Sequence, residues 1–356
     1  MAMSGGVDSS VAAARLVAEG RDVVGVTLHL WDYPDDGSVK SRCCAPEDVH
    51  DARRVADVLG FPHYAFDRRE LFREEVVEPF VDAYLGGETP SPCVRCNRGV
   101  KIKELERLAD QLGAARIATG HYARTVERQG ICELHRARDA TKDQSYFLHM
   151  LGQDVLRRIV FPLGDAEKAE VRAEARRLEL PGAGKGESQE LCFVPNGRYD
   201  AFVEERADGR LRPGPIVDGG GRVVGAHAGI HGFTVGQRRN LGIALGERAY
   251  VVAVDAATAT VRLGPREKLL AWGAVVDETC FAPDLELPAS AEVVVRYRGK
   301  PVACTIELLL EGRVLVRLAE PLAAVVPGQF AVFYRGARVL GGGVIRQALG
   351  KEERAS

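Results

Sequence analysis

The sequence MSGGVDSS, residues 3–10, carries the strongest structural signal in this chain. It runs directly into residues 11–19, whose apolar spacing predicts a helix that ends before Gly20. Paired glycines let a backbone approach a phosphate, and serines add hydroxyl donors. The start of a helix also offers backbone amides and partial positive charge. The stretch therefore predicts a loop that binds a pyrophosphate group.

The loop differs from two better-known phosphate-binding motifs. It lacks the lysine of a Walker loop and the glycine spacing of a dinucleotide fingerprint, which argues against kinase-like and dehydrogenase-like sites. Such a loop normally follows a strand, yet only Met1 and Ala2 precede it. Either the start is assigned too late or the chain is truncated, and truncation would remove the central strand.

Strands and helices alternate through the first half of the chain. Residues 22–30 form an apolar, β-branched run, as in a strand that is covered on both faces. The further predicted elements are a helix over 46–59, a strand over 63–66, helices over 68–85 and 100–112, and a strand over 115–119. Short right-handed connections then predict a doubly wound α/β domain with a parallel sheet.

The pattern changes after about Pro195. One short helix over 199–206 is followed by β-branched runs between glycine and proline turns, at 250–254, 258–263, 291–297, 313–318 and 330–333. Such runs are typical of antiparallel barrels and sandwiches. We therefore predict three domains: an α/β domain over 1–195, a central β-rich domain over 196–266, and a C-terminal β-barrel over 267–350.

Composition limits the class of protein. The 356 residues are 46% hydrophobic and 28% charged, which suits folded domains and argues against general disorder. The net charge of −2 argues against indiscriminate nucleic-acid binding but allows a local basic face. No stretch approaches the roughly 20 apolar residues of a membrane helix, and no leader pattern opens the chain. These features predict a cytoplasmic protein without membrane contact.

Three of the eight cysteines are candidates for chemistry. Cys93 and Cys96 form a C-x-x-C pair just before a helix predicted to start near Gly99, where thiols tend to react as thiolates. Cys192 follows the glycine-rich stretch 181–186, which could deliver a thiol to a distant site. A four-cysteine zinc site lacks its second pair. The remaining cysteines are interpreted as ordinary thiols, namely Cys43, Cys44, Cys132, Cys280 and Cys304.

Eight short strings resemble those of the tRNA-specific 2-thiouridylases, a family of PP-loop ATP pyrophosphatases, at corresponding places along nearly the whole chain. They are SGGVDSS (4–10), PCVRCN (92–97), ATGHYAR (118–124), KDQSYFL (142–148), LCF (191–193), GQRRNLGI (236–243), RYRGK (296–300) and PGQFAVFY (327–334). The resemblance implies cleavage of ATP between its α and β phosphates. It further implies thiolation at C2 of the wobble uridine, U34, in tRNAs for Lys, Glu and Gln.

The same resemblance assigns residues to roles. Cys192 matches the cysteine that carries a persulfide, and Cys96 matches its partner nucleophile. The expected ATP-binding residues are Ala2, Met3, Ser4, Gly5, Gly6, Val7, Asp8, Ser9, Leu28 and Gly120. The expected tRNA-binding residues are Ser91, Pro92, Cys93, His121, Lys142, Asp143, Gln144, Arg296, Tyr297 and Gln329. Expected cofactors are ATP and Mg²⁺, and the resemblance implies that Asp8 helps to hold the magnesium ion that screens the nucleotide phosphates. Expected partners are tRNA and a sulfur donor, either a cysteine desulfurase or a sulfur-relay protein.

Other interpretations stay open at this point. Ser91-Pro92-Cys93 departs from the common family pattern, and Cys93, Cys96 and Cys192 have the spacing to hold a 4Fe-4S cluster with one open iron for sulfide. A PP-loop amidating synthetase would need an ammonia source, and the sequence shows no glutaminase domain. A zinc-stabilised RNA-binding protein without catalysis would bind zinc at Cys93 and Cys96 and release no pyrophosphate.

Overall fold

The computed structural model describes residues 1–32, 46–186, 191–194, 197–243 and 248–353. The chain divides into two compact units. The first unit consists of Met1–Val77, Cys93–Gly197 and Ala337–Val339. The second unit consists of Glu78–Pro92, Arg198–Gly336 and Leu340–Ser356. The three predicted domain boundaries remain a prediction.

The described helices concentrate in the first 206 residues. They are α1 (Val7–Ala18), α2 (Pro46–Leu59), α3 (Arg69–Phe72), α4 (Glu78–Leu85), α5 (Pro92–Arg95), α6 (Lys103–Leu112), α7 (Gln153–Arg158), α8 (Lys168–Arg177) and α9 (Tyr199–Arg206). Two π-helical segments, Arg73–Val77 and Cys96–Ile102, connect α3 to α4 and α5 to α6. No helix in the described ranges is long and apolar enough to cross a membrane.

A parallel sheet forms the centre of the first unit. Its strands are β1 (Gly25–His29), β2 (His63–Asp67), β3 (Ile117–Ala118) and β6 (Ile159–Val160). Between β3 and β6 the chain forms an antiparallel hairpin of β4 (Ala123–Arg128) and β5 (Ile131–Arg136). Strands β1 and β2 pair in parallel, as do β3 and β6. This arrangement confirms the predicted α/β fold class.

The first three residues form backbone hydrogen bonds with both β1 and β3. The amide of Ala2 donates to the carbonyl of Ala118, and the amide of Met3 donates to the carbonyl of Val26, each at 2.8 Å. The amide of Val26 donates in turn to Met1 at 2.8 Å. Met1 to Met3 therefore join β1 to β3 through backbone hydrogen bonds and an isolated parallel bridge between Ala2 and Val26.

The helix that contains the C-x-x-C pair starts earlier than predicted. It begins at Pro92 rather than near Gly99, so Cys93 and Cys96 lie within its first turns. Proline is well tolerated at the first position of a helix, where its missing amide has no acceptor to serve. Gly99 lies inside the π-helical segment, where an added Cβ would sit 3.3 Å from a carboxylate oxygen of Glu75.

The second unit contains two β structures. Strands β7 (Gly214–Val217), β8 (Val223–His227), β9 (Tyr250–Asp255) and β10 (Thr260–Gly264) form a sheet in the order β8-β7-β10-β9. Strands β11 (Leu270–Phe281), β12 (Ala289–Val294), β13 (Val302–Leu308), β14 (Val314–Ala323), β15 (Phe330–Arg335) and β16 (Arg338–Leu349) close into a six-stranded barrel in the order β11-β14-β13-β12-β15-β16, with β16 paired back to β11. The predicted β-rich second half is confirmed.

Side chains at every second position along the strands fill the interior of the barrel. In β13 the buried residues are Val302, Cys304 and Ile306, every second position, because successive side chains of a strand point to opposite faces. They join a core that also contains Val293, Val316 and Phe333.

Candidate active site

The phosphate loop is closed by its own serines. The hydroxyl of Ser9 accepts from the amide of Ser4 and donates to the carbonyl of Gly6, both at 3.1 Å. The hydroxyl of Ser10 donates to the same carbonyl at 2.9 Å. The first amides of α1 have no acceptor within their own helix, as at any helix start. The loop therefore presents a preformed anion site.

Two glycines let other parts of the first unit approach this loop. Gly5 adopts a left-handed φ of 65°, and a Cβ there would lie 2.2 Å from the carbonyl oxygen of Asp48 on α2. A Cβ at Gly120, just after β3, would lie 2.9 Å from the amide nitrogen of Ser9. Gly120 is thus beside the phosphate loop, as expected of an ATP-binding residue at the end of a strand.

Asp8 is held by two side chains that the sequence analysis did not connect with it. The Lys168 Nζ atom lies 2.6 and 2.7 Å from the two Asp8 carboxylate oxygens. The hydroxyl of Tyr122 donates to Asp8 Oδ1 at 2.8 Å. Lys168 is 160 residues away in sequence, and the only local signal near it is the capping box of Glu167 and Glu170 that starts α8.

A second lysine lies on the other side of the loop. Lys185 Nζ is 2.6 Å from both Asp48 and Asp51 on α2 and donates to the carbonyl of Gly5 at 3.3 Å. Burial alone would lower the pKa of Lys185, but the hydrogen bonds to the two carboxylates outweigh it and raise that pKa. Lys185 belongs to the glycine-rich stretch 181–186 and links it to the phosphate loop.

The other predicted ATP-binding residues differ in exposure. Ala2 and Met3 lie in the central strand, and Val7 starts α1. Met3, Val7 and Leu28 are buried, and Leu28 is 8% exposed. Their role in ATP binding stays a prediction.

His121 follows Gly120 and is uncharged at neutral pH. Its Nδ1 atom lies 2.8 Å from the hydroxyl of Thr119. Burial, and secondarily the charge of Lys101, lower the pKa of His121 to about 3. The ring can therefore exchange hydrogen bonds with a bound ligand but carries no positive charge for a phosphate.

The three candidate cysteines all lie in the first unit. Cys96 opens the π-helical segment and is 5% exposed, whereas Cys93 and Cys192 are partly exposed. π-Helical turns re-aim side chains and are frequent at functional sites. Phe193, next to Cys192, packs edge-to-face on Phe72 with ring centroids 5.5 Å apart and on Trp31 at 6.1 Å. Aromatic packing thus anchors the turn that carries Cys192.

The described residues contain no preformed metal-binding cluster: within them, no three or more His, Cys, Asp or Glu side chains are arranged to hold a metal ion. The iron-sulfur and zinc alternatives for Cys93, Cys96 and Cys192 stay predictions. Cys43 and Cys44 lie outside the described residues. Cys132 and Cys304 are buried, and burial raises the pKa of both thiols, that of Cys304 to about 12. These two suit the predicted structural role.

The predicted tRNA-binding loop of the first unit is internally hydrogen-bonded. Asp143 is buried and accepts from the amides of Ala137 and Ser145, each at 3.1 Å. Gln144 exchanges two hydrogen bonds of 2.9 Å with the backbone of Tyr122. These contacts shape the loop, in which Lys142 is partly exposed.

Two of the predicted tRNA-binding residues of the second unit line one pocket. Arg296 and Gln329 border a cavity of about 480 Å³ together with Arg239, and its lining contains no carboxylate. Gln329 Nε2 donates to the carbonyls of Thr89 at 2.7 Å and Pro90 at 3.3 Å, which holds the segment leading to Ser91 and Pro92. Tyr297 lies beside Arg296 in the turn after β12, under the guanidinium of Arg298. The pocket suits a polyanion.

Three family models match successive parts of the chain. The model described as tRNA methyl transferase HUP domain matches residues 1–196, the PRC-barrel domain of the same name matches residues 200–265, and the aminomethyltransferase beta-barrel domain matches residues 275–345. Together they account for the α/β domain and the two β structures.

Curated relatives match almost from end to end. A tRNA-specific 2-thiouridylase MnmA from Sorangium cellulosum is 62% identical over 354 residues, covering 98% of this chain and 92% of the relative. Proteins of the same name from Geobacter metallireducens and Chloroflexus aurantiacus (strain J-10-fl) are 49% and 47% identical. They cover 98% and 97% of this chain and 96% and 97% of their own lengths.

Solved structures match more weakly. A U34-tRNA thiolase NcsA from Methanococcus maripaludis, determined with its 4Fe-4S cluster, is 17% identical with a TM-score of 0.33, covering 58% of this chain and 63% of its own. An NMN synthetase from Francisella tularensis is 18% identical with the same TM-score, covering 58% of this chain and 75% of its own. Scores this low carry no argument about mechanism.

Proposed function

The chain belongs to the family of tRNA-specific 2-thiouridylases, and from this premise we propose that it uses ATP to replace O2 of the wobble uridine of tRNA with sulfur. Cys192 carries the sulfur in this proposal, and Cys96 resolves it. The observation that carries the proposal is that the phosphate loop, Cys96 and Cys192 belong to one compact unit. A single active site can then combine activation of the uridine with sulfur transfer.

The first step activates the base. Uridine O2 attacks the α-phosphate of ATP, which forms the O–P bond of an adenylated C2 and releases pyrophosphate. The amides at the start of α1 are suited to hold the pyrophosphate as charge develops on it. Asp8 supplies the carboxylate that would hold Mg²⁺, because magnesium is commonly bound through one carboxylate and the substrate phosphates. The ion would screen those phosphates.

The second step delivers sulfur. The terminal sulfur of a Cys192 persulfide adds to C2, and AMP leaves with the former O2. The Cys96 thiolate then attacks Cys192 Sγ, which breaks the persulfide S–S bond and leaves 2-thiouridine and a Cys96–Cys192 disulfide. The transferred sulfur is reduced by two electrons, and the two thiols are oxidised. An external dithiol restores them before the next turnover.

Partners follow from these steps. Lys142 in the first unit, and Arg239 and Arg296 around the pocket of the second unit, are cations suited to tRNA phosphates. His121, Tyr297 and Gln329 are suited to exposed bases of the anticodon loop. A persulfide on Cys192 requires a protein donor such as a cysteine desulfurase or sulfur-relay protein. We include the predicted cytoplasmic setting in the proposal, because thiols must stay reduced between turnovers.

One experiment separates the persulfide route from the cluster route. Protein purified without oxygen is assayed for iron and acid-labile sulfide, and thiolation is compared between wild type and Cys93→Ala. The proposal expects full thiolation by iron-free protein and an active Cys93→Ala variant. Activity that requires iron and is lost in Cys93→Ala would instead support a cluster. Absence of ATP-dependent thiolation in wild type would refute the function itself.

A further inference from the structure

The phosphate loop has no lysine of its own, yet two lysines from distant parts of the chain lie against it. Lys168 contacts Asp8, and Lys185 contacts the carbonyl of Gly5. A lysine that reaches the phosphates is a regular part of Walker-type loops, where it offsets the charge of the nucleotide. The two lysines are therefore candidates to supply that charge here.

The setting of Lys168 points toward the phosphate site. It is the first residue of α8, and its partner Asp8 lies in the first turn of α1. Further along both helices, Arg15 and Glu174 form a second ion pair at 2.7 Å. From the Asp8–Lys168 pair to the Arg15–Glu174 pair, both helices proceed toward their C-termini. Helices α1 and α8 therefore run parallel, with their N-termini at the same end. Both helix dipoles thus present positive potential beside Asp8.

The two lysines differ in what holds them. Lys185 is shared by two carboxylates and a backbone carbonyl, so moving it would leave both Asp48 and Asp51 without that cation. Lys168 shares one carboxylate with Tyr122, and that carboxylate is the one a magnesium ion would take. A magnesium ion could therefore replace Lys168 at Asp8, whereas it would have to replace Lys185 at two carboxylates at once.

We propose that Lys168 is a phosphate-binding residue that moves from Asp8 to a pyrophosphate oxygen of ATP when the nucleotide enters with Mg²⁺. The Asp8 carboxylate would then exchange its contact with the Lys168 ammonium group for one with the metal ion, while the Tyr122 hydroxyl keeps the carboxylate oriented. The side chain of Lys168 is 11% exposed, so its charge acts in a poorly solvated place where it is worth more than at the surface. The inference rests on the proposed function, because it assumes that ATP occupies the loop.

The test measures nucleotide binding without tRNA. Equilibrium dialysis with ATP, inorganic pyrophosphate and AMP is run on wild type, Lys168→Met, Lys168→Arg and the control Lys103→Met, which removes an exposed lysine from α6 of the same unit. We expect Lys168→Met to bind ATP and pyrophosphate at least about 10-fold more weakly and AMP nearly as well as wild type, with partial rescue in Lys168→Arg. Lys103→Met should match wild type.

A second variant keeps the test decisive if Lys168→Met folds poorly. Asp8→Asn removes the partner that holds Lys168 in the empty protein, and it should bind pyrophosphate without Mg²⁺ at least as tightly as wild type while losing the gain that Mg²⁺ gives. Wild-type affinity in folded Lys168→Met, or Mg²⁺-free pyrophosphate binding that is weaker in Asp8→Asn, would overturn the role of Lys168. Failure of wild type to bind ATP would instead count against the proposed function.

Discussion

The phosphate loop and the cysteine segments of the first unit are held in different ways. The loop is closed by serine hydrogen bonds, a close glycine contact with α2, and contacts from Lys168 and Lys185. Cys96 is buried at a π-helical turn, and Cys192 lies in a turn that is anchored by its neighbour Phe193. The first region is fixed by directional contacts, whereas the second depends on apolar packing.

The difference matches two chemical tasks. Adenylation needs donors that are already aimed at the phosphates, because reorganisation during the reaction would cost free energy. A persulfide must be loaded by a donor and then delivered to C2, so Cys192 has to serve two partners. Its partial exposure, beside a buried anchor, suits that double role. The two regions should therefore respond separately to substitution.

The largest expected effect is a loss of sulfur transfer without loss of ATP cleavage when either Cys96 or Cys192 is replaced. Cys96→Ser and Cys192→Ser should each lower tRNA thiolation by at least about 1,000-fold, because serine neither carries a persulfide nor resolves one. Pyrophosphate release in the presence of ATP and tRNA should remain. Thiolation of tRNA and release of pyrophosphate are measured on the same samples, and Cys280→Ser in the second unit is the control. Loss of pyrophosphate release in the first two variants would show that the regions are not separable.

The next effect concerns the anchor of Cys192. Phe193→Ala removes a ring that is 2% exposed and should cost about 3–5 kcal/mol of folding free energy, whereas Phe193→Leu should cost about 1.5 kcal/mol or less. Denaturant unfolding gives both values. Folded Phe193→Ala should bind ATP normally but thiolate slowly. Normal thiolation in that variant would mean that the aromatic contacts do not position Cys192.

A glycine pair tests the rigidity of the phosphate loop. Gly5→Ala places a Cβ 2.2 Å from Asp48 and adds left-handed strain, while Gly20→Ala adds the strain alone because no atom lies within 4 Å of its Cβ. Gly5→Ala should cost about 1–3 kcal/mol more than the control. It should also weaken ATP binding. Equal unfolding free energies for the two variants would contradict the contact between the loop and α2.

The smallest effect is a pH dependence at His121. Its folded pKa, about 3, is below the value of about 6.5 in an unfolded chain. The unfolded state therefore binds the proton first, so the stability contributed by His121 is complete above pH 6.5 and is lost as pH falls toward 3. Over that range wild type should lose at most about 1.4 kcal/mol per pH unit more than His121→Gln. If the free energies of unfolding of wild type and His121→Gln changed with pH in parallel, His121 would be solvated in the folded protein, which would contradict the prediction.

Much of the fold was predictable because the signals were local. Periodicity and end signals placed α2 and α9 at their observed bounds. The antiparallel hairpin β4–β5 was missed, since it interrupts an otherwise alternating α/β order and its strands carry several charged side chains. Helix α8 was missed for a similar reason, because six of its ten residues are Lys, Glu or Arg. The few apolar residues of α8 pack in one core with those of α1, and this contact depends on the tertiary structure rather than on a local sequence pattern.

The site was predictable only where a motif was continuous. The string SGGVDSS indicated the phosphate loop, and Gly120 indeed lies against it. Lys168 and Lys185 could not be found this way, because neither has a sequence pattern that links it to a loop more than 150 residues away. The roles of Cys96 and Cys192 came from the family resemblance and stay proposals.

The most direct test of the central claim is a single turnover with a defined sulfur load. Protein with one persulfide on Cys192 is mixed with ATP, Mg²⁺ and excess tRNA without reductant, and 2-thiouridine and protein disulfides are quantified by mass spectrometry. The account predicts one 2-thiouridine, one pyrophosphate and one Cys96–Cys192 disulfide per persulfide consumed. Thiouridine formed without that disulfide, or without ATP cleavage, would contradict it.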